Sequence, residues 1–286
     1  MTWPDVDGRT TDLKFTSVLA RQVQLTQQYV YVGMHEMKVF GQRGTLYCFS
    51  PPVMVATLLI ESALAIFVFL RHSITRFGKV AGLLLVLLAA FQFAEYQTCI
   101  RTSEKQILWA RIGFVAITLL PIAGLYLVSL VSGKQHFLKL GYATAIAFVV
   151  YFLIVPKSIF GAICGGNYVI FNTSNDLYRL YGLYYWGFLL LGIWEAIEKI
   201  ETLKRQLEIK KTLQWLIVGY LSFMGPMGIV YIVFPTTRGA VTSIMCGFAI
   251  TLAFILALKV VPAYNRAHRH RLPFVQPSPV PRECDN

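Results

Sequence analysis

Four side chains stand out because of where they fall. Glu61, Gln92, Glu95 and Arg111 lie inside or at the edge of long apolar stretches, where charged and strongly polar groups are costly and default to functional candidates. Two carboxyls, an amide and a guanidinium in such a setting can staple two helices as an ion pair. They can also bind an acidic ligand group through the arginine, or handle protons. Glu95 lies four residues before Cys99, and Arg111 four residues after Ile107, near facing ends of consecutive stretches. At about 1.5 Å of rise per residue, both are about 6 Å deep. The expectation is a Glu95–Arg111 pair inside the bundle, with Gln92 one turn below Glu95 and Glu61 deeper in the same cavity.

Other membrane chemistries lack their residues. His35, His72, His136, His268 and His270 all fall outside the apolar stretches, so paired haem ligands are not expected. Lys259 stands three residues before Pro262, at the end of the last stretch, where a lysine snorkels rather than carrying a retinal Schiff base. The sequence has no HExxH, GxSxG or CxxC motif. No enzyme activity, cofactor or metal site is expected.

The elements that must position these groups follow from composition. Of the 286 residues, 56% are hydrophobic and 14% charged, and the mean hydropathy is +0.58; counted with Gly in place of Tyr the apolar share is roughly 58%, against about 45–50% apolar and about 25% charged in soluble domains. These values exclude a disordered chain and an ordinary soluble enzyme. From Pro51 onward, seven apolar stretches, at 53–70, 80–99, 107–132, 138–155, 177–198, 212–234 and 240–261, are continuous rather than alternating. A continuous run of about 20 residues reads as a membrane-spanning helix, not a barrel strand. The expected fold class is all-α, a polytopic membrane protein built as a seven-transmembrane-helix bundle. Seven spans do not divide into the matched halves of a repeat-built transporter. Pro121 and the Gly225-Pro226-Met227-Gly228 segment are expected to kink the third and sixth helices.

Fifteen of the 26 basic residues fall in the 71–79, 133–139 and 199–211 connections and after residue 258, against six in the opposite connections. The positive-inside bias then places residues 1–50 outside and the C-terminus in the cytoplasm. The domains expected are a poorly ordered extracytoplasmic leader (1–50), the seven-helix domain (51–262) and a basic, Pro-rich cytoplasmic tail (263–286). The expected location is the plasma (inner) membrane, with the lipid bilayer as partner. The +12 charge is read as an attraction to anionic headgroups, not as a nucleic-acid footprint.

Cys48, Cys99 and Cys164 all face outside in this topology, where disulfides persist. Three cysteines allow three single pairings, of which Cys99–Cys164 is the candidate, because one ends a helix and the other sits in the longest outer loop. Asn172-Thr173-Ser174 fits the acceptor triplet for N-glycosylation. On the basic side, Trp194, Ile197, Ile200, Leu203 and Leu207 recur at helical spacing. Glu195–Lys199 and Glu201–Arg205 are spaced as i,i+4 pairs. The fifth helix is therefore expected to continue through 199–211, a surface that could dock a partner.

Trp109-Ala110-Arg111-Ile112-Gly113, followed by Thr118-Leu119-Leu120-Pro121, resembles the third helix of the N-terminal seven-helix sensor region of bacterial histidine kinases. Glu95, the Gly182–Trp186 start of the fifth helix and the basic 204–211 stretch are similar in placement. The resemblance covers roughly 53–261. It implies a bundle with its N-terminus outside and its C-terminus inside that detects a signal and transmits it. No phosphoacceptor or ATP-binding domain follows in this sequence, so the signal would pass to a separate signalling protein or membrane subunit. The leading expectation is a stand-alone, sensor- or receptor-like membrane protein. The alternatives are a structural or assembly subunit without ligand, and a small-solute or proton-handling protein using Glu61, Glu95 and Arg111.

Overall fold

Long apolar runs close their backbone hydrogen bonds most readily within the segment, as helices. The computed structural model describes residues 2–4, 10–12, 51–101, 104–156, 158–164, 169–173, 175–203, 206–233 and 240–269. Seven long helical segments dominate it: α1 (Pro51–His72), α2 (Arg76–Ile100), α3 (Glu104–Ser132), α4 (Leu138–Ile154), α5 (Asn175–Thr202), α6 (Leu207–Val233) and α7 (Val241–Ile255). A π-helical turn (Leu256–Val260) carries α7 into α8 (Val261–Arg269). Six spans are long and apolar enough to cross a membrane: α1, α2, α3, α5, α6 and the continuous run from α7 through the π turn into α8 (Val241–His268). The shorter α4 has 17 residues, about 26 Å at 1.5 Å each.

The helices pack as a bundle in which α2 runs along both α1 and α3, α3 also meets α4 and α5, and α6 lies against α7. Bulky residues fill the core, among them Phe77, Phe91, Leu125, Leu216 and Met227. Many large apolar side chains on the outer faces remain exposed, including Leu59, Leu183, Ile232 and Ile146.

One end of the bundle is closed by a hairpin of β3 (Gly161–Cys164) and β4 (Val169–Asn172), with Cys164 opposite Val169. Cys164 is disulfide-bonded to Cys99 in the last turn of α2, Cα to Cα 5.7 Å. Phe171 packs its ring against Phe91 and Phe114. The Val169 N–H donates to Ser243 Oγ at 3.1 Å. These contacts tie the hairpin to α2, α3 and α7; this is called the disulfide end below.

The opposite, basic end is organised by the α1–α2 turn. Thr75 caps α2 by accepting the Gly78 N–H at 3.1 Å. A side chain at Gly78 would overlap the His72 carbonyl, so only glycine lets the turn close this tightly. The Thr75 hydroxyl donates to Asn265 Oδ1 at 3.3 Å, and Asn265 Nδ2 lies 2.7 Å from His72 Nδ1. Phe77 stacks on Tyr264 at 4.2 Å. The turn is thereby fastened to α8.

Several expectations change. The last apolar stretch is expected to end at 261, with a tail from 263; instead the helix continues through Pro262 to Arg269. Proline lacks the N–H and crowds the carbonyl four residues back, but a wider π turn lies immediately before it, with the Val261 N–H reaching the Leu256 carbonyl. The continuous helix through 199–211 is also corrected. α5 ends at Thr202, Leu203 is outside it, and α6 starts at Leu207. Glu195 does not pair with Lys199 among the described residues. Glu198 instead pairs with Lys134 of the α3–α4 turn, just after Gly133 at φ 77°. Glu208 takes Lys211 at 3.1 Å and Arg266 at 3.4 Å. Of the leader, only β1 (Thr2–Pro4) and β2 (Thr10–Asp12), an antiparallel pair, are described. The expectation of poor order for the rest of it, the tail beyond Arg269 and the complete glycosylation triplet lie outside the described residues.

Candidate functional site

The buried stripe of α1 is Met54, Glu61, Ala65 and Val68, at spacings of seven, four and three, one face of a helix. The matching stripe of α2 holds Leu84, Leu88, Phe91, Gln92 and Glu95. These two helices therefore bury polar groups along with their apolar neighbours. Glu61, Gln92 and Glu95 are 0%, 1% and 1% exposed, and none of their terminal oxygens or nitrogens has a well-formed hydrogen bond among the described residues. The Ser243 hydroxyl of α7 is turned toward the Glu95 carboxyl, although its geometry falls short of a full hydrogen bond. Cys246, one turn further along α7, is within electrostatic reach of both carboxyls. Among the described residues no His, Cys, Asp or Glu side chains converge as a metal-holding group.

The expected Glu95–Arg111 pair is not formed. Arg111 is half-buried and donates through Nη2 to the Pro156 carbonyl beyond α4, and its Nε has no partner among the described residues. Helical phase, rather than depth, explains the difference. α3 meets α2 through Gly113, where an added Cβ would lie 3.3 Å from the Ala94 Cβ and 3.4 Å from the Phe91 ring. Glu95 is one residue past Ala94, about 100° around α2, and faces α7. Arg111 sits beside the buried Ala110–Phe114–Ile117 stripe of α3 and reaches the α4–β3 connection. It holds that connection to α3.

A double-mutant cycle on Glu95→Gln and Arg111→Gln, read by thermal unfolding, is expected to give a coupling energy within about 0.5 kcal/mol of zero, the behaviour of side chains that share no contact. A coupling above about 1 kcal/mol would restore the ion pair.

A cavity of ligand size lies elsewhere at the disulfide end. It encloses about 490 Å³ between α3, α5, α6 and α7, within the range of small-molecule sites. Tyr181, Tyr185 and Trp186 form one wall, Tyr231 and Ile232 another, and Cys246 lies at its inner side. The exposed Arg179 contributes a charge to the lining. Gly182 and Gly228 also line it, and a side chain at either would point into open space. The two glycines therefore leave the room that the aromatic side chains enclose. Behind this wall, Tyr181 and Tyr184 are fixed to α3. Tyr184 donates to the Thr118 carbonyl at 2.6 Å, and Tyr181 Oη lies 3.1 Å from Thr118 Oγ1. Cys246 thus belongs to the cavity lining and is within electrostatic reach of the buried carboxyls.

Arg179, the tyrosine wall and Cys246 were not among the residues expected to form a site. The signal for them was the aromatic density of Tyr178-Arg179-Leu180-Tyr181-Gly182-Leu183-Tyr184-Tyr185-Trp186, together with glycines that such a wall requires. Compared with protein-family models and with curated proteins, the chain matches none.

Proposed function

We propose that the protein is a seven-helix integral membrane protein of the sensor or receptor type, with the disulfide end outside, passing its state to a separate partner in the cytoplasm. The observation that carries this reading is the 490 Å³ aromatic cavity at the disulfide end, whose inner residue, Cys246, is within electrostatic reach of the buried Glu61 and Glu95. An apolar or aromatic small molecule with an acidic group suits its lining, the acid meeting Arg179. α7 runs from this cavity through the π turn to α8, which is bonded to the α1–α2 turn at the basic end. A shift of α7 at the cavity would therefore be felt at the cytoplasmic face. The positive-inside bias supports the orientation, and the exposed apolar faces of the helices support burial in lipid.

Proton handling is the second reading, favoured by the buried Glu61 and Glu95, whose carboxylate oxygens have no well-formed hydrogen bond among the described residues. It requires a wet path to Glu61, and both of its carboxylate oxygens are sealed from solvent. No enzyme activity is proposed.

The two readings separate in proteoliposomes carrying a pH-sensitive dye in the lumen. The sensor reading expects no protein-dependent proton flux under an imposed potential. It also expects Gly228→Leu, which fills the cavity, to alter the distance between spin labels at Lys79→Cys and Lys210→Cys. A flux lost in Glu61→Gln, or a label distance unmoved by filling the cavity, would overturn it.

A further inference from the structure

The basic end holds a second and larger cavity, of about 910 Å³, between the α1–α2 turn, the end of α3 and the α7–α8 junction. Its walls are of two kinds. Phe67, Ile74, Leu130, Leu258 and Pro262 make an apolar side, while Arg71, Arg76 and Arg266 make a cationic one, and among the described residues no acidic one lines it. Arg266 is shared with Glu208. Arg71 and Arg76 form no ion pair among the described residues. The first turn of α2 opens at Arg76 behind its Thr75 cap, so the positive end of a helix faces the same region. Ile74 is 95% exposed at the apex of the turn and Leu70 is 84% exposed beside it. Apolar groups held out of the bundle next to unpaired arginines match the boundary between headgroups and acyl chains.

We propose that this cavity binds one anionic phospholipid of the cytoplasmic leaflet. The phosphate would sit against Arg71 and Arg76 at the α2 N-terminus, and an acyl chain would lie along Phe67, Leu130 and Leu258. The inference rests on the seven-span reading with this end in the cytoplasm. A free phosphate would leave the apolar side wet, which is why the lipid is the ligand chosen. Arg guanidinium groups favour phosphate because they offer a planar fork of donors and stay charged. Because the same turn is bonded to α8 through Asn265, the lipid would hold the α1–α2 turn and the end of α7 together.

The test is native mass spectrometry of the full chain released from detergent, with dioleoylphosphatidylglycerol or dioleoylphosphatidylcholine added in equal amounts. The wild type is expected to retain one phosphatidylglycerol at activation energies that remove phosphatidylcholine. The pair Arg71→Gln with Arg76→Gln is expected to lower that occupancy about ten-fold or more. Arg101→Gln with Lys105→Gln, at the opposite end, should leave it unchanged. Arg71→Lys with Arg76→Lys keeps the charge and should retain a substantial part of the binding, so a loss through misfolding is distinguished from a lost contact. Undiminished retention by the glutamine pair, or an equal loss in the control pair, would overturn the proposal. So would displacement of the lipid by millimolar inorganic phosphate, which assigns the site to a free anion. Recovery of the protein from cells without detergent would instead refute the membrane-spanning reading itself.

Discussion

Replacing Cys99 and Cys164 together with serine is expected to lower the unfolding temperature more than any other pair of substitutions at the disulfide end. The bond joins residues 65 apart, and closing a loop of that length in an unfolded chain corresponds to roughly 4 kcal/mol in the chain-entropy account. Helices that remain inserted when the bundle comes apart already restrict the ends, so the measured loss should fall below that figure. The loss should appear equally when the wild type is heated in reductant, and reductant should not affect the double variant. The hairpin also places Phe171 on Phe91 and Phe114 and bonds the Val169 N–H to Ser243. Its release should therefore loosen α7 beside the aromatic cavity. Thermal unfolding with and without reductant checks this, and an unchanged midpoint in the double variant would contradict it.

Glu61→Leu is expected to do the opposite and stabilise the protein. The glutamate is fully buried, neither carboxylate oxygen has a partner among the described residues, and its neighbours on the stripe are Ala65 and Val68. Burying a polar group without hydrogen bonds costs roughly 1–3 kcal/mol on mutational scales. Leucine replaces it at similar volume, a change that cores tolerate. The expected result is a higher unfolding midpoint, with the 490 Å³ cavity unchanged because Glu61 does not line it. A destabilisation above about 1 kcal/mol would show that the carboxyl is held by groups in the folded protein.

Much of the fold was legible in the apolar pattern. The stretches 53–70, 80–99 and 107–132 lie within α1, α2 and α3, because an uninterrupted apolar run has few other ways to satisfy its backbone. The end of the last helix was not legible. Pro262 reads as a stop in sequence, and the π turn that carries the helix past it depends on tertiary packing at the α8 end. The site was legible only in part. That Glu61, Gln92 and Glu95 are polar groups in apolar helices is plain from position. Which of them meet is set by helical phase, and a one-residue rotation from Ala94 to Glu95 sends the carboxyl to α7 and away from Arg111. The tyrosine wall was missed for a different reason. Aromatic residues at helical spacing look the same whether they fill a core, as Tyr184 does, or line a cavity, as Trp186 does. The hairpin with its disulfide joins elements 65 residues apart, a pairing that three candidate cysteines in sequence left open.

In the proposed topology, seven spans with the aromatic cavity outside and the basic end in the cytoplasm, α4 is the element on which the count turns. Its 17 residues fall short of the usual span, yet Leu140, Ile146, Val150, Leu153 and Ile154 form an exposed apolar face. Gln135 and Phe160 flank it and are both exposed. Each can be changed singly to cysteine in a chain where Cys48, Cys246 and Cys284 are serine and the Cys99–Cys164 bond is kept. With an impermeant maleimide on sealed cells, Phe160→Cys is expected to label at once, and Gln135→Cys only after the membrane is permeabilised. Equal labelling of both sites before permeabilisation, or of neither, would place the two ends of α4 on one side and contradict the seven-span account.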